Sequence, residues 1–146
     1  MRYVYNVKTI PTEEKTTILC IVDFSQSSND TLNWAISIAR KLRGHLCILF
    51  VYRLVPSRSG ELIHWKKTIE EEAQLKFLAI EQIELSKSGL SYEFKIEIGF
   101  IADRIENFAS KNDLVFIVMD KNAYVDSTES FDDLMKLMKV PLLLCP

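Results

Sequence analysis

The sequence predicts a single α/β domain in which a parallel β-sheet is covered by helices on both faces. Short apolar segments alternate along the chain with amphipathic segments of helical period, which is the order of a sheet built from strand–helix units. The apolar segments are nearly unbroken, as expected for strands that are buried on both faces. The 146 residues contain no linker, repeat or low-complexity stretch, and their number suits one compact domain.

The first strand and the first helix are predicted between residues 17 and 44. Residues 17–24 (TILCIVDF) form an apolar run that only Asp23 interrupts, near its end. Three serines then offer N-caps for a helix: Ser25, Ser27 and Ser28. The apolar side of that helix consists of residues at helical spacing: Leu32, Ala35, Ile36, Ile38, Ala39 and Leu42. Gly44 is expected to end the helix at the C′ position.

The second strand–helix unit extends to Gly89. Residues 46–52 form another buried strand, and a loop is predicted at 56–60. The following helix is predicted from residue 61 to about residue 87. Its apolar side chains recur at three- and four-residue steps: Leu62, Trp65, Ile69, Ala73, Phe77 and Ile80. Its charged side chains fall mostly on the opposite face, which we expect to be solvated.

The remaining elements follow the same order. Residues 92–98 alternate between apolar and polar side chains, which predicts a strand with one face in water near a sheet edge. A short amphipathic helix over 101–109 leads to the most apolar strand, residues 114–119. A last helix precedes a strand that begins at Pro141. We expect right-handed crossovers between the parallel strands.

An N-terminal arm, residues 1–14, precedes the domain predicted over residues 15–146. Its aromatic and branched side chains favour an ordered role, either as an extra edge strand or as a contact with a second subunit. A disordered tail is the third alternative.

The composition excludes several classes of partner. A net charge of −2 and a pI near 5.7 provide no general attraction to nucleic acid or to an anionic membrane. The longest apolar run, residues 46–52, is far shorter than the ~18 residues of a membrane span. The N-terminus has no apolar segment of the kind that marks a secretion signal. We therefore expect a cytoplasmic protein that binds neither nucleic acid nor membrane.

Three cysteines, Cys20, Cys47 and Cys145, each lie in an apolar, strand-like run. Their odd number, their wide spacing and the absence of a neighbouring histidine predict buried free thiols rather than a metal site. No metal and no cofactor are expected.

The order of these elements resembles the universal stress protein family over roughly residues 15–146. The residues that carry the resemblance are VDFS at 22–25, Gly99 before a short helix, DLV at 113–115 and VPLLLC at 140–145. The resemblance implies a Rossmann-like open five-stranded parallel sheet in the order 3-2-1-4-5. It also implies a cytoplasmic homodimer that pairs through the last strand, here Pro141, Leu142, Leu143 and Leu144.

Many members of that family bind ATP or AMP beyond the carboxyl ends of the strands. The Asp that ends the first strand contacts the nucleoside, and Asp23 occupies this position. A G-x2-G-x9-G-[ST] loop after the fourth strand wraps the phosphates, because glycine lets backbone N–H groups approach an anion. At the corresponding positions this chain has Asp120, Ala123, Thr128 and Glu129, and no glycine follows Gly99.

The charge of this segment leads to the same expectation. Residues 120–133 contain five acids and one base, Lys121, and an acid repels a nearby phosphate by on the order of 1 kcal/mol in solvent. The resemblance therefore implies a non-ATP-binding member that is not an enzyme and acts in stress response through protein–protein association and homodimerisation. No cofactor-binding residues are then expected, and Asp23, Ser25 and Asp120 would line a vestigial nucleotide pocket. The alternative is an AMP or ATP sensor that uses Asp23.

Some side-chain roles stay open. Asp23 is either a ligand contact or a cap for the helix that follows it. Asp23 and Ser25 could also join His45 in a hydrolytic triad, although the sequence has no G-x-S-x-G elbow. His64 is expected to be a surface or partly packed histidine. Cys145 is expected to be buried, with a redox role as the alternative.

Overall fold

The computed structural model describes residues 2–8, 16–25, 28–54, 62–120 and 131–145. Its elements follow the chain in this order: β1 (Arg2–Lys8), β2 (Thr17–Val22), α1 (Ser28–Leu42), β3 (His45–Tyr52), α2 (Leu62–Ile80), a π-helical turn (Glu81–Leu85), β4 (Tyr92–Ile98), α3 (Ile101–Lys111), β5 (Leu114–Asp120), α4 (Phe131–Leu137) and β6 (Leu142–Cys145). The predicted loop at 56–60 and the N-cap candidate Ser27 lie outside the described residues.

The strands form one six-stranded sheet in the order β1-β4-β3-β2-β5-β6. The five strands from β2 onward run parallel, and numbered among themselves they have the order 3-2-1-4-5. This confirms the predicted fold class. Part of the N-terminal arm forms β1, which lies antiparallel to β4 at the sheet edge, with Arg2 opposite Glu97 and Tyr5 opposite Phe94.

Two cores, one on each face of the sheet, explain why the parallel strands are apolar on both sides. Along β2, Ile18 and Cys20 point to the face on which α1 and α2 pack. Leu19 and Ile21 point to the face covered by α3 and α4. Burial of a large apolar side chain contributes about 1.5–3 kcal/mol to the free energy of unfolding. A strand that is covered on both faces is therefore apolar at every position and does not alternate with polar residues.

The junction between α1 and β3 needs Gly44, although not in the role that the sequence predicts. Arg43, rather than Gly44, adopts the left-handed conformation at the end of the helix, with φ of 52°. A Cβ atom on Gly44 would lie 2.5 Å from Ile18 Cδ1 and 2.8 Å from the carbonyl oxygen of Thr16. The glycine therefore allows the chain to pass close to β2 as it enters β3.

The prediction that β4 has one face in water is wrong. Its polar face is buried, and Lys95 and Glu97 retain only 2% and 3% exposure. The reason is tertiary: β1 extends the sheet beyond β4, and Phe108 of α3 lies over Lys95, whose Nζ is 5.0 Å from the ring centroid. The Lys95 ammonium also lies 3.4 Å from Glu93 Oε1, which compensates its charge.

Candidate functional site

The candidate site lies at the carboxyl edge of the sheet, between the ends of β2 and β5. The chain leaves β2 toward β3 on one side and later crosses from β4 to β5 on the other side. Open α/β sheets bind ligands at such a switch point. Asp23 directly follows β2 and Asp120 ends β5, so both predicted carboxylates lie at this switch point, where the family of open α/β sheets has its ligand crevice.

A tight turn after β2 positions Asp23. Its Oδ1 atom accepts a hydrogen bond from the backbone N–H of Ser25, with a donor–acceptor distance of 2.9 Å. Phe24 between them has φ of 61°, in the left-handed region that bulky residues rarely adopt. Its ring packs against Phe50 and Phe94, with centroid distances of 5.3 and 5.8 Å. These contacts hold the strained residue in place, and the hydrogen bond with the Ser25 N–H fixes the Asp23 carboxylate at the end of β2.

Asp120 lies on the other side of the crevice and is fully buried. It pairs with Cys145 of β6 in the parallel ladder. Burial raises the pKa of the Cys145 thiol, a hydrogen bond with Thr31 lowers it in part, and the charges of Asp120 and Asp30 raise it again. The net pKa is raised, so the thiol stays protonated near neutral pH and is a poor nucleophile.

A cleft of about 320 Å³ opens next to Cys145, on the outer side of α1. It is lined by Asp30, Asn33, Trp34, Ser37 and Cys145. The sequence pattern did not single out Asp30 or Trp34. The sequence did contain one signal for Trp34: it falls outside the apolar side of the predicted helix, which indicates an aromatic side chain in solvent.

The structure places His45 away from this site. β2 and β3 pair with Thr17 opposite His45, at the amino edge of the sheet. Asp23 and Ser25 follow the carboxyl end of β2. The hypothesis of an Asp23–Ser25–His45 triad is therefore wrong, because the strand length separates its members.

His45 instead belongs to a polar row that joins β3 to β4. Its Nδ1 lies 2.9 Å from Ser91 Oγ, and its Nε2 lies 3.5 Å from Glu93 Oε1. Burial alone would raise the pKa of Glu93, but its contacts with His45 and Lys95 outweigh burial and lower the pKa. Ser91 is buried, so a substrate cannot reach its hydroxyl. We conclude that the row is structural.

The other sequence-based expectations have mixed outcomes. The three cysteines are buried and unpaired, as predicted, and burial raises the pKa of Cys20 and Cys47. Within the described ranges, no group of three or more His, Cys, Asp or Glu side chains could hold a metal ion. No helix in the part of the chain that the structure describes is long and apolar enough to cross a membrane. Some side chains lie outside the described residues: His64, Lys121, Ala123, Thr128 and Glu129.

β6, the strand predicted to mediate dimerisation, lies at the edge of the sheet. The carbonyl oxygen of Pro141 accepts a hydrogen bond of 3.0 Å from Ile117 N in β5. Alternate residues of a strand bond to the same neighbouring strand, so Leu143 directs its backbone groups toward β5. Leu142 and Leu144 therefore direct theirs toward the open edge.

Comparisons with known proteins agree with this geometry. The model of the Universal stress protein family matches residues 15–123, about three quarters of the chain. A search of curated proteins finds no significant match. Among solved structures, the universal stress protein UspA from Lactobacillus plantarum is similar, with a TM-score of 0.73 at 16% identity, covering 92% of this chain and 100% of that one.

Two further structures share the fold. A protein from the universal stress protein family from Burkholderia pseudomallei has a TM-score of 0.73 at 20% identity, and the match covers 93% of this chain and 99% of the Burkholderia chain. The universal stress protein from Archaeoglobus fulgidus in complex with dAMP has a TM-score of 0.55 at 18% identity, with coverages of 88% and 96%. At these identities the likeness concerns the fold, whereas the family model matches the sequence itself. The chain therefore belongs to the universal stress protein family.

Proposed function

We propose that this protein is a stress-response module that acts through protein–protein association as a homodimer, with no ATP ligand and no enzymatic activity. Asp120 is the observation that carries the proposal. The family pattern has a phosphate-binding glycine directly after this strand, and here a fully buried carboxyl group ends it. At 4 Å, an ionised carboxylate repels a phosphate charge by about 1 kcal/mol in water and about 4 kcal/mol at an effective dielectric constant of 20.

The surroundings of Asp120 add to the negative charge of the crevice. Asp23 lies at the end of the neighbouring strand, and Asp30 lies in the first turn of α1 at the same edge of the sheet. No glycine follows Gly99 in the sequence, so the backbone after β5 has no residue that readily adopts the positive φ of a phosphate-binding loop. Charge and backbone thus both oppose a triphosphate.

The open edge of β6 supports the homodimer. The backbone groups of Leu142 and Leu144 face this edge, and an exposed strand edge is a template for pairing with another chain. Two copies related by a two-fold axis can pair their β6 strands antiparallel and join their sheets into one. The half-buried side chains of Leu142, Leu143 and Leu144 supply apolar contact area beside this ladder.

Adenine-nucleotide sensing at Asp23 is the second candidate function. The turn that fixes the Asp23 carboxylate at the switch point favours it, and the Archaeoglobus fulgidus relative was solved with dAMP. A nucleoside or a monophosphate carries less negative charge than ATP. The acidic crevice therefore opposes it less.

Calorimetric titration of nucleotide-stripped protein distinguishes the two functions. ATP, AMP and dAMP are each titrated with and without Mg²⁺, and melting curves provide an independent check. We expect no saturable binding up to about 1 mM nucleotide. A Kd below about 100 μM for any of them would refute the main proposal. In that case Asp23→Asn, with the exposed Asp103→Asn of α3 as a matched control, tests whether the Asp23 carboxylate is the contact.

Hydrogen exchange tests the proposed dimer at the level of single amides. The N–H groups of Leu142 and Leu144 should exchange slowly at high protein concentration and rapidly at low concentration. Leu144→Pro removes one open-edge donor without removing a bond to β5, and it should abolish this protection. Leu144→Ala keeps the backbone donor and should retain it. Rapid exchange of both amides at every concentration would contradict the dimer.

A further inference from the structure

The outer face of α2 and its π-helical turn carries large apolar side chains that are exposed. Leu75 is 67% exposed, and Ile83 in the π-helical turn is 68% exposed. Trp65 is 52% exposed, although the sequence predicts it on the apolar side of the helix with Phe77. The inner face of the same helix is well packed, and Phe77 stacks on Phe94 of β4 with a centroid distance of 4.2 Å. Scattered apolar residues on a surface are ordinary, whereas three large ones along one face of a helix indicate an interaction surface.

The π-helical turn changes which residue of the last helical turn faces the core. In an uninterrupted α-helix, Glu84 would be the position seven residues after Phe77 and would face the core. The extra residue in the turn instead places Leu85 there, and Leu85 is fully buried. Ile83 lies four residues after Ala79 and eight after Leu75, so it belongs to the outer stripe that runs along Trp65, Glu72, Leu75 and Ala79. Residue spacing along this stripe is that of a helix–helix seam.

We propose that α2 and its π-helical turn form an antiparallel helix pair with the same segment of a second copy of this chain, centred near Gln74. In such a pair, residues equally far before and after the centre lie at the same height. Trp65 then meets Ile83 of the second copy, because each is nine residues from Gln74. Leu75 lies beside the two-fold axis and meets its own counterpart. Every large exposed side chain of the row is covered by this arrangement.

One charged side chain on the stripe, Glu72, and one beside it, Lys76, select the antiparallel direction. Glu72 and Lys76 each lie two residues from Gln74, so Glu72 of one copy meets Lys76 of the other, twice per pair. A parallel pair in register would instead place Glu72 against Glu72 and Lys76 against Lys76. Opposite charges beside a helix seam specify partner and orientation in this way.

The size of the surface predicts a weak association. The nineteen residues of α2 and the five of the π-helical turn form a segment ~36 Å long. Two such helices bury on the order of 1,000 Å², at the lower end of the range for specific interfaces. We therefore expect a dissociation constant in the micromolar range or above.

This surface is separate from β6. α2 packs over β4, whereas β6 is at the opposite end of the sheet. The two contacts can therefore form together and produce assemblies of four or more chains, and each can be removed without the other.

Charge reversal provides the test. Sedimentation velocity is measured from about 5 to about 500 μM on the full chain and on the Leu144→Pro variant, in which the β6 edge is blocked. In both backgrounds, Glu72→Lys and Lys76→Glu should each weaken association by about tenfold, because two attractive contacts become repulsive. An equimolar mixture of the two single variants should restore it.

The mixture separates contacts between copies from effects within one helix. In a mixed pair, the lysine introduced at position 72 meets the glutamate introduced at position 76, and the native Lys76 meets the native Glu72 of the other copy. Within each chain, however, the pair at positions 72 and 76 stays like-charged. Recovery on mixing therefore arises only across the interface.

Apolar substitutions complete the design. Leu75→Glu should abolish the association, whereas Leu42→Glu, at an exposed apolar position of α1, should leave it unchanged. Far-UV circular dichroism verifies that each variant keeps its helices. The proposal is overturned if the wild type does not associate beyond the β6 contact at about 500 μM, if Leu75→Glu has no effect, or if the mixture associates no better than either single variant.

Discussion

Phe24 makes the backbone strain at the candidate site measurable. Its φ of 61° costs about 1–2 kcal/mol for a residue with a Cβ atom and almost nothing for glycine. Phe24→Ala and Phe24→Gly both lose the contacts with Phe50 and Phe94, which should cost about 2–4 kcal/mol. Only Phe24→Ala keeps the strain. At an ordinary position alanine is more stable than glycine by roughly 0.5–1 kcal/mol. We therefore expect the order to reverse here, with Phe24→Gly more stable by about 0.5–1 kcal/mol.

Urea unfolding, followed by circular dichroism and analysed as a two-state transition, measures both variants. The matched control is the pair Ser37→Ala and Ser37→Gly, at an exposed position in the middle of α1, where alanine should be more stable by about 1 kcal/mol. If Phe24→Ala proves as stable as Phe24→Gly or more so, then the turn at Asp23 is not strained. The site would then lack the backbone feature that distinguishes it from an ordinary loop.

Three further predictions concern the elements around the site. Gly44→Ala should lower the free energy of unfolding by about 2–4 kcal/mol, because the new Cβ would overlap Ile18 and the Thr16 carbonyl. Gly89→Ala, with φ of 75° but open space around it, should lower it by only about 1 kcal/mol. Equal urea midpoints of the two variants would contradict the steric account. The pKa of Glu93 is lowered in the folded protein. Its ionised form therefore stabilises the fold at pH values above the pKa of an unfolded glutamate, about 4.3, and this contribution is lost as pH falls through the folded pKa. Glu93→Gln should therefore lose less stability on acidification than the wild type, and an unchanged acid slope in urea midpoints would refute this. Burial and the 2.7 Å hydrogen bond to Glu81 raise the pKa of Tyr92 to about 12, so the free energy of unfolding should fall as pH rises from about 10 through about 12. Absorbance titration should show one phenol that ionises at high pH and is lost in Tyr92→Phe. If that phenol persists in the variant, the high pKa belongs to another tyrosine.

The parallel sheet could be predicted because burial on both faces leaves a direct trace in the sequence. The run at 17–22 is buried at every position and has no exposed side on which a polar residue would be tolerated. β4 could not be read in this way, since its alternation depends on what lies beside it. The strand that extends the sheet there comes from residues 2–8, and the sequence of the arm is equally compatible with a strand, a tail or a subunit contact.

The candidate site was predictable only where it coincides with strand ends. Asp23 and Asp120 interrupt or follow apolar runs, so their positions at the carboxyl edge could be inferred before their neighbours were known. The left-handed Phe24 depends on two aromatic rings from other strands, and the raised pKa of Cys145 depends on burial and nearby acids. The π-helical turn that follows α2 was also missed, because a helical period read along the chain does not show a single inserted residue.

The buried charges on β4 affect the geometry of the candidate site through the register of this strand. Phe94 and Ile96 point to the core under α2, and Glu93, Lys95 and Glu97 point to the opposite face. A slip of one residue would exchange these faces and place the charges in an apolar core, at a cost of several kcal/mol. The charged row therefore contributes mainly to the choice of register, since such pairs add little net stability. Register in turn decides where Phe94 lies, and Phe94 is one of the two rings against which the strained turn at Asp23 packs. The geometry of the candidate site thus depends on ionic contacts on the far side of the sheet.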